Sequence, residues 1–104
     1  MLAIAVIASV AAFTLTLVPL AQALVVKQRV VAAADAAALA AADTASGATA
    51  GFPCDAAGRA ARLNGARLGR CEIDGLIATV SAVSAYWGMN ITVLARAGPP
   101  GGAR

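Results

Sequence analysis

The first 26 residues carry no charged side chain, and among Met1–Val26 Ser9, Thr14, Thr16 and Gln22 are the polar ones. Wound as a helix at ~1.5 Å per residue they make a rod of roughly 39 Å, longer than the ~30 Å hydrocarbon core of a bilayer. A chain of 104 residues has no interior that could bury such a rod. The segment is therefore expected to be a membrane span or a leader. Pro19 removes one backbone donor and meets the carbonyl of Leu15, so a helix kink is expected there, of a kind that transmembrane helices tolerate. Ala21-Gln22-Ala23 fits a small-x-small cleavage site that would leave a chain starting at Leu24. Against cleavage, no Lys or Arg precedes the run, and the run exceeds the usual 7–15-residue apolar region of a leader. Retention is the expectation, with residues 1–26 as a transmembrane or filament-core helix.

The helical pattern continues through VVKQRVVAAADAAALAAADTASG, where alanine, the best helix former, dominates and the next glycine is Gly47. The spacing predicts one unbroken helix to about Ser46, with 27–46 as an amphipathic extension. Arg29, Ala36 and Asp43 follow a seven-residue stripe along one face. The opposite surface is paved with methyl groups, and Ala34, Ala37, Ala38 and Ala41 are its candidate helix-packing interface. Such small side chains let another helix or a sheet approach closely. A solvated helical stalk is the alternative.

After Gly47 the texture changes, and residues 47–97 are expected to form a small head. GATAGFP reads as a loop in which Pro53 keeps Phe52 out of helical geometry. Asp55 is expected to cap a short helix, DAAGRAARLNG, that Gly65 ends. Asp74-Gly75 and Trp87-Gly88 then punctuate β-prone runs, predicting three antiparallel strands over roughly 67–73, 76–86 and 89–97. In the last, Met89, Ile91, Val93 and Ala95 alternate with Asn90, Thr92, Leu94 and Arg96. The fold class is α+β, a long helix packed on a three-stranded antiparallel sheet. The tail 98–104, GPPGGAR, is expected to be disordered.

Of the 104 residues 30 are alanine, and Phe52, Tyr86 and Trp87 are the head's aromatics, so its core has little bulk. A domain this small usually needs a staple. Cys54 and Cys71 are the two cysteines; a bridge between them would close a loop worth ~3 kcal/mol in the chain-entropy model. Two free buried thiols are the other possibility. A structural zinc site needs four ligands and a redox motif needs C-x-x-C, so neither fits. A bridge places the head outside the cytoplasm. The positive-inside rule reads Lys27 and Arg29, directly after the span, the opposite way; the cysteines are given the greater weight, which makes a single-pass plasma-membrane protein with an extracytoplasmic head.

Catalysis is not expected. The chain has no histidine, the commonest general base and metal ligand. Neither a serine with a nearby base nor a cofactor motif is present. Arg59, Arg62, Arg67 and Arg70 supply much of the net charge of +3, but no interleaved aromatics accompany them, so no nucleic-acid partner is expected. An acidic partner or an anionic wall polymer remains an alternative.

Hydrophobic helix, amphipathic extension and small antiparallel sheet together resemble the build of type IV pilins and pseudopilins. The stretch VVKQRVVAAADAAALAAA at 25–42 is similar to the R-x-x-A-x-x-A-A-D-x-A-A-L-A-A-A pattern of TadE/TadG-like proteins from actinobacterial tight-adherence pilus clusters. Cys54, AARLNGARLGRCEIDG, a Val-rich strand and the closing VLARAGP extend the likeness to a short TadE-like family encoded beside helicase and secretion genes. The resemblance implies a pilin-like fold and a minor, membrane-inserted structural subunit. Its helix would pack against other pilin-like subunits or its own copies, with the assembly ATPase and platform proteins as indirect partners and an extracellular filament as one destination. Pilins carry a basic leader ending in Gly and a Glu at the fifth mature position; the fifth residue here is Ala5. A small disulfide protein, secreted or membrane-tethered and acting alone on an extracellular target, is the competing expectation.

Overall fold

Helix α1 runs without a break from Leu2 to Ala45, with Pro19 inside it. At ~1.5 Å per residue its 44 residues span about 66 Å, which accounts for the long axis of a molecule measuring 69 × 27 × 19 Å. The computed structural model describes residues 1–100, so of the tail expected to be disordered, 101–104 lie outside the described residues. The head follows as α2 (Pro53–Leu63), β1 (Arg67–Asp74), β2 (Ile77–Tyr86) and β3 (Met89–Ala97), with the sheet ordered β1-β2-β3 and both pairings antiparallel.

The two ends of α2 illustrate how the local sequence works. The cap lies three residues before the expected Asp55: Pro53 takes the first helical position and Phe52, extended at φ −103° and ψ 131°, is the cap. Asp55 is thus a first-turn residue, favourable beside the positive end of the helix dipole, and not the cap. At the other end Gly65 adopts φ 79°, its N–H donates to the Arg62 carbonyl, and the Ala66 N–H donates to the Ala61 carbonyl. That pair of bonds is a Schellman motif, the ending that a glycine in left-handed geometry permits.

The core is a seam of methyl groups. From α1, Ala37, Ala38, Ala41 and Ala42 meet Ala57 and Ala61 of α2 and Ala78 and Val80 of β2. Nearer the N-terminus Val30, Ala33 and Ala34 meet Ala82. Val30 and Val80 are the largest fully buried side chains, so helix and sheet touch almost backbone to backbone. On β3, Ile91, Val93 and Ala95 lie half-buried against this seam while Asn90, Thr92, Leu94 and Arg96 face out. Met89, grouped with the inward set by alternation, is 69% exposed because it stands at the hairpin end, past the covered part of the sheet.

Strand β1 contains an irregularity that alternation does not announce. The register steps from Leu68↔Ala82 to Cys71↔Val80, so Gly69 and Arg70 together oppose Ser81 in a β-bulge. Ser81 is buried, and its hydroxyl accepts a 2.8 Å bond from the Arg70 N–H that the bulge would otherwise leave unpaired. A Cβ on Gly69 would stand 2.6 Å from the Ser81 Oγ, so this glycine is required by space, not by backbone angle. Past β3 the ordered contacts continue one residue further than expected, because Gly98 lies against Ile77.

Two stability outcomes follow from this packing. Ala37→Leu or Ala41→Leu should cost about 1–3 kcal/mol through overpacking, whereas Leu39→Ala, at a position 58% exposed, should stay within about 0.5 kcal/mol; urea unfolding in detergent measures both. In the bulge, Gly69→Ala should cost about 1–3 kcal/mol. Ser81→Ala alone should cost about 1–2 kcal/mol for the orphaned N–H. The double variant should cost less than the two singles summed, since removing the hydroxyl relieves the clash.

Candidate functional site

The proposed packing residues Ala34, Ala37, Ala38 and Ala41 are all buried, at 0–1% exposure, inside the chain's own fold. They pack on α2 and β2, so the methyl face is occupied by the head of the same molecule. What α1 leaves uncovered is its other half. Its apolar stretch is long and apolar enough to cross a membrane and none of it is buried by the head. Leu2, Ile4, Val6, Ile7, Phe13 and Leu15 all stand exposed along it. The polar residues there are partly masked by the helix itself: the Thr14 and Thr16 hydroxyls each donate a 2.9 Å bond to the carbonyls of Val10 and Ala12. Pro19 lies within this uncovered half, and the helix continues across it.

Cys54 and Cys71 are bonded, with Cα atoms 5.8 Å apart, joining the first turn of α2 to the middle of β1. Cys71 points inward at the edge of the alanine seam. The bridge thus holds α2 over β1 where few large side chains do so.

The arginines divide. Arg59, Arg62 and Arg67 surround a recess of about 430 Å³ that Cys54, Asp55, Gly58 and Leu68 complete. Arg70 is apart from them, paired with Glu72 at 2.6 Å on the open surface. Being exposed on both sides, that pair contributes little. Arg29 runs along the end of α2, its Cδ 3.3 Å from where a Cβ on Gly65 would sit.

Among the described residues no cluster of His, Cys, Asp or Glu could hold a metal ion, and no buried side-chain polar atom lacks a partner. The buried Ser81 hydroxyl is committed to the Arg70 N–H and has no base beside it in its hydrogen bonding. The Gly69–Ser81 fit was hidden from sequence reasoning because it is made across two strands. A signal did exist for the hairpin end: Tyr86-Trp87 at a turn is an unusual place for two aromatic rings. Comparison with protein-family models, with characterised proteins and with solved structures finds no match.

Opening the bridge tests its share of the stability. Cys54→Ser/Cys71→Ser should lower stability by about 2–4 kcal/mol, and reductant should shift the unfolding midpoint of the parent chain but not that of the double variant.

Proposed function

We propose that this chain is a structural, membrane-inserted subunit of pilin or pseudopilin type, a minor component of a tight-adherence type IV pilus or a related secretion system. The observation that carries this reading is the division of one helix into two halves. Residues of α1 up to Val25 stand exposed and apolar, while from Val30 onward the same helix is the spine of a small disulfide-bridged head. An apolar face of that size needs an apolar surrounding. Lipid supplies it before assembly, and neighbouring helices of other pilin-like subunits or further copies supply it within a filament, where small residues such as Ala8 and Ala12 permit close approach. Assembly ATPase and platform proteins act on such a subunit indirectly.

The head is read as extracytoplasmic because its cysteines are bridged. Lys27 and Arg29 give the conflicting signal, and the bridge is given the greater weight. The recess among Arg59, Arg62 and Arg67 favours a second reading, a tethered or secreted protein that binds an acidic group outside the cell by itself.

Shearing surface filaments from cells that make the protein, then identifying the chain by mass and N-terminal sequence, separates the two. The first reading expects the chain in the filament fraction with residues 1–23 retained. It also expects Ala8→Leu/Ala12→Leu to lower that recovery about tenfold with the bridge intact, because the substitution keeps the span apolar but blocks close helix contact. A chain in the medium beginning at Leu24, or full recovery of the double variant, would overturn it; the former supports the second reading.

A further inference from the structure

Strand β2 runs antiparallel to α1 and steps down it toward the uncovered half. Ala78 and Val80 pack at the level of Ala37–Ala42, Ala82 at the level of Val30–Ala34, and Tyr86 closes a recess with Val18, Gln22, Val25 and Val26 that Arg29 borders on its charged side. Gln22 lies about 7 Å along the helix on the apolar side of Lys27, the first charged residue of α1. The hairpin end thus reaches past the charged collar and overlaps the apolar segment.

Its chemistry suits that position. No charged side chain occurs between Asp74 and Arg96, and at the tip Trp87 is 81% exposed beside the exposed Met89. Tyr86 pairs with Met89 across a loop of two residues, Trp87 and Gly88, both with positive φ. Such a loop takes Asn, Asp or Gly at its first position, and a bulky residue at φ 52° is held there against its backbone preference. The Trp87 ring meets the neighbouring Tyr86 ring, at 6.1 Å between centroids, but is not covered by the head. A strained, uncovered aromatic is a feature to be explained by what it contacts.

The geometry points to a second membrane contact: the Tyr86–Met89 tip lies in the boundary between headgroups and acyl chains, in the leaflet from which α1 emerges, with Trp87 and Met89 entering it. Tryptophan and tyrosine favour that boundary because their rings are apolar and their N–H or O–H wet. Lys27, less than two turns above Gln22, is at the depth of the lipid phosphates. Lipid is favoured over a protein groove because the tip continues the surface of the apolar helix segment and is itself uncharged. The inference rests on the membrane-inserted reading of α1.

Trp87 is the one tryptophan of the chain, so its own fluorescence is the probe. The full-length protein is reconstituted in phosphatidylcholine/phosphatidylglycerol vesicles whose acyl chains carry bromine either near the headgroup or near the chain end. Trp87 emission should be shifted to the blue, lose about half its intensity to the shallow bromines and respond less to the deep ones. In a Phe13→Trp/Trp87→Phe chain the tryptophan sits mid-span, and the order of quenching should reverse. If that chain is quenched while Trp87 stays open to aqueous iodide and indifferent to bromine, the hairpin contact is wrong and the span stands. Trp87 shielded from iodide yet unquenched by bromine would mean that a second copy covers it, which also overturns the proposal. Quenching in neither chain would remove the membrane-inserted reading itself.

Discussion

Everything in the head depends on how near α1 can come to β2, and that distance is set by alanine. Where Ala37, Ala38 and Ala41 face Ala78 and Val80, no side chain longer than valine separates helix from sheet. Close contact recovers dispersion energy over many atom pairs although each residue buries little apolar area. It also leaves no slack, since a single added methylene has nowhere to go. The disulfide and the Gly69–Ser81 bulge belong to the same economy of space. One holds α2 across β1 by a covalent bond, and the other folds β1 inward while pairing the amide it displaces.

Much of this was legible in the residues. The length of α1, both hairpins and the three strand limits are recovered to within a residue or so, because charge-free length, alanine runs and glycine-centred turns are local signals. Asp74-Gly75 marked its turn only approximately: Asp74 remains in β1 and the loop is Gly75-Leu76. The start of α2 was misplaced because Pro53 at the first helical position and Asp55 two residues on give competing start signals, and the proline wins. The methyl face of α1 was legible as a packing surface for a helix or a sheet, but its occupant was not. Amphipathic pattern shows that a face is covered, not whether the cover comes from the same chain. The bulge and the depth of the hairpin end along α1 are tertiary facts with no local signature.

The separation of the two halves of α1 has a consequence for how its charges are interpreted. A rule that counts Lys and Arg beside a span treats them as free to report topology. Arg29 is engaged, since its stem lies on Gly65 where α2 ends. The aliphatic part of that side chain covers the end of α2 while the residue as a whole stays exposed. The Cys54–Cys71 bridge joins α2 to β1 within the head and does not depend on those charges.

Finally, no loop divides α1. The helix crosses Pro19, where one backbone bond is missing, and continues through Lys27 and into the head without an intervening loop. The head is therefore carried on a lever, not on a tether. Ala45 lies about 28 Å beyond Val26, so leaning the uncovered half by 10° swings the far end of the head sideways by about 5 Å. Twisting that half about its axis turns the sheet through the same angle. A set of copies whose helices lie in register therefore presents its sheets in register as well.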